Sequence, residues 1–537
     1  MLWKTAILTI LFGSLNAVAT VDMKNANFTD DWVDLKFPST GFNLSVERTY
    51  NSRVLYNGMF GFGWCTDLEQ KLEKMDSGAI QISSCGPYSA AVFYPAGVDK
   101  KEMLQFVGKL ADAHVKAGNK LSKKALSTLK NALYDDRIKR DEFAAKYKVA
   151  IPSSKTRKFV NSAADKDSIT ITKSGNYVRV RSDDVKEIYD NKGNLVEKRD
   201  TNGNFLKYSY RANALIQITN QLSQRLSFLY HANGKVSKIT GPSDLVVEYK
   251  YKKSDLIWVK NAWKNQYTYE LDNLHNLTKI TYPDKTTREI KYNTKKDWVV
   301  AFKDREGCVE SYDIDLKSDD HYSTTLVKKC GKKVTNRSKF EFWYKTTAKR
   351  GSRLARVRTE INGRVRDVKY HPEISRPIVE IDGNRKTTFS YYESGLVKTK
   401  TENGIRSLFK YDNRTGKVST VVRGKLKSDF KYDGKGNLIF ASNSNGQKVK
   451  LQYDRSGRIV KLVDHAKRIV EIQYNSKIGK PSVVTRPGLG SIVVKYDRSG
   501  NIQKVDSKAG PSVAVQVASA FNNLLEIVKP AGVELGI

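Results

Sequence analysis

Tyrosine recurs through this chain at a step of about 21 residues, and that period constrains the fold more than any local motif does. One series runs Tyr370, Tyr391, Tyr411, Tyr432, Tyr453, Tyr474 and Tyr496. An earlier one runs Tyr189, Tyr210, Tyr230, Tyr251, Tyr269, Tyr292 and Tyr312, with steps between 18 and 23 residues. The clearest units are Tyr432-Asp433-Gly434-Lys435-Gly436-Asn437-Leu438, Tyr453-Asp454-Arg455-Ser456-Gly457-Arg458-Ile459 and Tyr496-Asp497-Arg498-Ser499-Gly500-Asn501-Ile502. The units at Tyr189 to Gly193, Tyr230 to Gly234 and Tyr411 to Gly416 follow the same plan. Asp can hold backbone N–H groups two residues on, and Gly takes positive φ without a Cβ clash, so each unit reads as a strand ending at Tyr, a turn, and a second strand. Asn202-Gly203, Asp382-Gly383 and Asn403-Gly404 supply the short turns between repeats. One repeat is therefore two strands and two turns. Period-two alternation puts Tyr at one phase of every second strand, which predicts an aromatic ladder that fixes register. A stacking platform for bases or sugar rings is the rival reading of the same rings.

Two stretches depart from the period. Around 308–364 the step widens, with Tyr344 as the marker. Over 99–158 the apolar spacing turns helical in Lys101 to Leu110 and Lys120 to Lys130, with a third helix expected from Asp136 to Tyr147 and closed by Pro152. That segment holds 16 basic and 7 acidic residues and reads as a basic helical insertion. It could touch anionic lipid or nucleic acid.

Charge bounds the partners. The 537 residues include 94 Lys and Arg against 57 Asp and Glu, a formal charge of +37. Residues 371–508 alone carry 28 basic and 13 acidic side chains. So distributed an excess implies anionic partners and steep salt dependence. A hydrophobic fraction of 39% argues against global disorder.

The N-terminus places the chain outside the cytoplasm. Lys4, the apolar run Ala6 to Phe12 and the small-x-small triplet Ala17-Val18-Ala19 read as a cleaved signal peptide covering 1–19. No later run is long enough for a membrane span. The four cysteines, Cys65, Cys85, Cys308 and Cys330, fall into two local pairs. In an exported chain they suggest two disulfides; free thiols are the alternative, and zinc lacks a Cys-x-x-Cys.

These residues resemble the RHS/YD-repeat family, whose signature is Tyr-Asp-x-x-Gly-x-hydrophobic. A second resemblance lies upstream, in Arg48, Tyr50, Asn51 and Ser52 followed by Gly61, Gly63 and Trp64. It is similar to the N-terminal domain that precedes RHS repeats in bacterial proteins. The resemblance implies a mainly β fold, in which repeated hairpins form a curved or spiralling sheet, an open or partial shell, with the helical insertion set into it. It implies an N-terminal β domain over 20–98, repeats over 159–507 and a tail over 508–537. Relatives that carry a toxin typically end the core with an Asp-Pro-x-Gly motif, and this sequence has no Asp-Pro.

Catalytic patterns are absent. The six His are isolated, and His321 beside Asp319-Asp320 is the best metal or acid-base candidate. The repeated Asp are explained by turns. The expectation is a non-enzymatic exported scaffold with no cofactor and no metal. Its expected partners are anionic polysaccharide, lipopolysaccharide or another envelope surface, ahead of nucleic acid. The alternatives are an effector or truncated relative of a toxin-delivery protein, and an enzyme acting on polysaccharide.

Overall fold

The computed structural model describes residues 20–75, 78–85, 90–98, 100–135, 137–152, 157–161, 167–293, 295–296, 298–347, 351–497, 500–507 and 511–528. The segment read as a signal peptide lies outside them.

Each repeat is built by the turn chemistry its sequence carries. Strand Lys448–Tyr453 passes through Asp454 to Arg458 into strand Ile459–Asp464. Asp454 Oδ1 accepts the N–H groups of Ser456 at 2.9 Å and Arg458 at 3.0 Å. Gly457, at φ 82°, donates its N–H to the Asp454 carbonyl at 3.1 Å. Asp190, Asp433 and Asp497 hold their turns in the same way. At the marker tyrosine the pairing slips: Gln452 faces Lys461, yet Tyr453 faces Ile459. This β-bulge interrupts the backbone ladder once per repeat.

The tyrosine of the next repeat fills that interruption. Tyr453 donates its hydroxyl to the Leu438 carbonyl at 2.7 Å, at the start of the preceding strand. The same bond joins Tyr210 to Leu195, Tyr230 to Leu215, Tyr292 to Leu277, Tyr411 to Val397, Tyr432 to Val418, Tyr474 to Ile459 and Tyr496 to Pro481, at 2.5–3.0 Å. In these repeats the expected ladder thus runs from hydroxyl to carbonyl: each of these tyrosines satisfies a backbone acceptor beside the preceding bulge, whereas Tyr189 and Tyr312 donate to Glu187 and Glu310.

One marker was misassigned. The slip in the repeat after Tyr251 falls at Leu271, which faces Leu277, and Tyr269 stands two residues earlier. Leu271 restores the even step that 251 to 269 to 292 lacks, and it frees Tyr269 for another task.

The strands pair in sequence order, antiparallel, from Lys71–Lys74 to Ile502–Ser507, in one sheet of 36 strands. Strands Lys71–Lys74, Ile80–Ser83 and Ala91–Pro95 belong to it, so the sheet begins inside the segment assigned to the N-terminal domain. The sheet is open. Its first strand pairs along its length with the second, and touches the repeats through one isolated bridge, Lys71 to Asn194. The irregular stretch is continuous sheet with longer strands, Val309–Ser318, His321–Cys330, Lys333–Thr347 and Gly351–Ile361.

The sheet curls on itself. Asn202 meets Asn437, Asn204 Nδ2 donates to the Ser456 carbonyl at 2.9 Å, and Gln224 Nε2 donates to the Lys477 carbonyl at 2.6 Å. The short-turn edge of the first winding therefore carries the tyrosine-turn edge of the second. Gly457 and Gly500 lie at this seam: a Cβ would stand 2.2 Å from Asn202 Nδ2 and 2.3 Å from Pro38 Cγ respectively.

Curling encloses one face, and two elements from outside the long sheet cover it. Strands Asn27–Phe37 and Leu44–Asn51 bring Phe28, Leu35, Phe37, Leu44 and Val46 against Leu226, Phe228, Ile239, Val247 and Ile280 of the first winding. Of the four α-helices among the described residues, α1 (Lys100–Lys116), α2 (Lys123–Asp135) and α3 (Arg137–Tyr147) form the insertion, and α4 (Pro511–Val528) lies within the segment read as a tail. Helix α4 buries Val513, Val517, Phe521, Leu524 and Ile527 against Leu451, Leu462, Val470 and Val484 of the second winding.

Candidate functional site

The upstream motif converges on one buried guanidinium. Arg48 Nε donates to Asp34 Oδ2 at 2.5 Å, and its Nη2 donates to Asp34 Oδ1 at 3.1 Å and to the Tyr269 hydroxyl at 2.9 Å. Its Cζ lies 4.1 Å from the Trp64 ring centroid. Tyr249 donates to Asp34 Oδ2 at 2.9 Å. Burial alone would discharge Arg48, but Asp34 and the tyrosine hydroxyls reverse that and hold it firmly cationic. Burial, with the Asp34 charge, raises the Tyr249 hydroxyl well above its ordinary range.

The other motif residues shape the same contact. Tyr50 accepts the Leu277 N–H at 2.8 Å and packs edge-on to Trp64. Asn51 donates its N–H to the Gly63 carbonyl, and Ser52 Oγ accepts the Phe28 N–H. Gly61, at φ 94°, lets the turn lie on the sheet, where a Cβ would stand 2.3 Å from the Ser254 carbonyl. Gly63 clears the Tyr50 ring. Arg48, Tyr50, Gly61 and Trp64 therefore dock the N-terminal strands onto the repeats, while Asn51, Ser52 and Gly63 hold those strands and their turn in shape. Asp34, Tyr249 and Tyr269 complete the arrangement. The 18-residue step to Tyr269 was the signal that this tyrosine does something other than mark a repeat.

Beside this contact lies a cavity of about 880 Å³, lined by Tyr56, Glu69, Lys71, Asn194, Tyr210, Tyr230 and Lys235 among others. Glu69 Oε1 accepts the Met59 N–H at 2.7 Å and the Tyr56 hydroxyl at 3.1 Å; its Oε2 is buried without a partner. Burial pushes its carboxyl up to about 7, against those two bonds and the charge of Lys235. Lys235 Nζ donates to the Asn57 and Gly58 carbonyls and to Asn57 Oδ1, and burial lowers its pKa. Neither Glu69 nor Lys235 was singled out from the sequence, because neither belongs to a motif.

The four cysteines form two disulfides, Cys65–Cys85 and Cys308–Cys330. The first ties the N-terminal strands to the start of the long sheet, and the second joins two ends of the long-strand hairpin. His321 stacks on Trp343, with ring centroids 4.7 Å apart, and Arg356 covers Trp343 from 4.6 Å. Among the described residues, no group of three or more His, Cys, Asp and Glu side chains is close enough to hold a metal.

On the outer face a second row accompanies the tyrosines. The residue before the marker is an exposed lysine in six repeats: Lys250, Lys291, Lys369, Lys410, Lys431 and Lys495. Because alternate residues point to opposite faces, this row lies across the sheet from the tyrosine row.

Residues 19–86 match the family described as a domain of unknown function, DUF6531. No curated protein matches the chain. Among solved structures the chain is similar to the TcdB2-TccC3-TEV crystal structure, at 10% identity over 96% of this chain and 29% of that one, with a TM-score of 0.44. It is also similar to a Tc holotoxin pore of Photorhabdus luminescens that carries a TccC3 mutation, at 12% identity over 92% of this chain and 29% of that one, with a TM-score of 0.42. The chain spans about a quarter to a third of the length of the chains it resembles.

Proposed function

We propose that this chain is an exported, non-enzymatic RHS/YD-repeat scaffold that works through its outer surface on anionic polymers of a cell envelope or extracellular matrix. The exposed lysine row carries the reading. Lys410 and Lys431 stand two strands apart, about 10 Å at the ~4.8 Å strand spacing, and the other lysines of the row follow at intervals of four or six strands, about 20–30 Å, so that one long linear polyanion could meet several of them. The covered inner face supports it, since strands Asn27–Phe37 and Leu44–Asn51 and helix α4 occupy the surface on which a cargo would rest. Two disulfides support an oxidising compartment. No helix among the described residues is long and apolar enough to cross a membrane.

Chromatography on immobilised heparin and lipopolysaccharide tests the reading. Retention at low salt, eluting as salt rises, is expected, because exposed charges act within a screening length of about 10 Å at 0.1 M salt. Replacing Lys369, Lys410, Lys431 and Lys495 with Ser should lower the eluting salt concentration. No retention at low salt, or retention indifferent to salt, would overturn it.

A further inference from the structure

We propose that the exposed edge of α1 and its turn into α2 form a docking element for an anionic lipid surface. The inference adds a lipid target to the polymer-binding reading above and rests on separate residues. The insertion is a protrusion. The strands on either side of it pair directly, Phe159 with Pro95 and Val160 with Tyr94. The helices have a small core of their own, Phe106, Val107, Leu110, Ala111, Leu133 and Ala144, closed onto Ala79 and Ile151.

The edge of α1 that borders that core stays exposed. Leu104 is 51% exposed and Val115 38% exposed. With Gly108, they fall at i, i+4 and i+11, within about 40° of one line along the helix. Exposed Lys100 and Lys101 lie within about 60° of that line, and exposed Lys109 and Lys116 follow about 120–140° round the same exposed surface, with exposed Asp112 between. The turn adds exposed Lys120, Lys123 and Lys124 around Leu121, itself 37% exposed. Residues 113–134 contain no Asp or Glu. Lysines alone would suit any polyanion. Exposed Leu and Val among them gain nothing against a hydrated polymer, whereas a bilayer interface takes apolar side chains below its phosphates while lysine stems snorkel to them. Each lysine near an anionic leaflet adds about fivefold in affinity.

The test uses the full chain and large vesicles of phosphatidylcholine, with and without phosphatidylglycerol, read by co-sedimentation. Binding is expected only with phosphatidylglycerol. The triple variant Leu104→Ser, Val115→Ser, Leu121→Ser keeps every charge. It should lose about tenfold or more in vesicle affinity while its heparin retention stays unchanged. A second variant joins residue 97 to residue 158 through a Gly-Asn turn; circular dichroism checks its fold, and it should lose vesicle binding and keep heparin retention. If the triple variant binds vesicles as the parent does, or if the parent is retained on heparin yet ignores vesicles, the lipid element is wrong and the scaffold reading stands. If excision abolishes heparin retention as well, the insertion is a polymer site and the lipid assignment fails. A parent that binds neither overturns both.

Discussion

The side-chain amides of Asn202 and Asn437 bond each other in both directions, at 3.3 and 3.1 Å, across 235 residues of chain. The bond marks where the sheet, having wound once, comes back to rest on itself. Turns that meet at such a seam are sterically committed in a way that free turns are not.

Glycines of one conformation should therefore differ in cost. Gly193 at φ 80° and Gly234 at φ 78° occupy the same place in their repeats. A Cβ at Gly193 would stand 1.8 Å from the Leu72 carbonyl oxygen, and one at Gly234 meets nothing within 4 Å. Gly234→Ala should cost about 1–2 kcal/mol, the penalty of positive φ alone. Gly193→Ala should cost clearly more, because backbone must move. Denaturant unfolding of the two variants checks the order.

Arg48→Met strands Asp34 in the interior and should destabilise docking of the N-terminal strands by about 3–5 kcal/mol. Tyr269→Phe removes one hydrogen bond to the guanidinium and should cost about 1.5–3 kcal/mol. Trp32 and Trp64 are buried beside Arg48, so a red shift of tryptophan emission early in urea unfolding reports the loss.

Acidity should strengthen the same junction. Burial pushes Glu69 up to about 7 from 4.5 and Asp30 up to about 7 from 3.8, outweighing Arg288 at 3.4 Å in the second case. Both groups hold a proton in the folded state that the unfolded chain releases. Their contribution is fully present below about pH 4 and is lost as pH rises through 7. The double variant Glu69→Gln, Asp30→Asn should flatten the fall in Tm between pH 5 and pH 8 relative to the parent. A parallel fall in both proteins would contradict the assignment.

Helix α4 should stabilise the second winding. Leu524 is fully buried against it, and Leu524→Ala should cost about 2–5 kcal/mol. Hydrogen exchange in strands Lys448–Tyr453 and Ile459–Asp464 should quicken while the first winding stays protected.

The sequence reading reached the repeat unit because Tyr, Asp and Gly act locally: Asp454 and Gly457 shape a turn whatever surrounds it. It reached the seven upstream residues only as a resemblance, since Asp34 and Tyr269 lie far away in sequence and carry no local signal. The seam was hidden for the same reason. Nothing in Asn202 or Asn437 announces a partner 235 residues away. Helix α4 was missed because it follows the last repeat, where the period ends; its Val513, Val517, Phe521 and Leu524 nonetheless recur at helical spacing. Glu69 and Lys235 sit in no motif, and only folding brings them to one cavity.

Cross-linking across the seam tests the wound, self-covered scaffold most directly. Asn202→Cys with Asn437→Cys, treated at low protein concentration with a short bismaleimide, should give one intramolecular product in high yield, identified by peptide mass. Each single variant should give none. Equal reactivity of both thiols without an intramolecular link would mean that the sheet does not return onto itself.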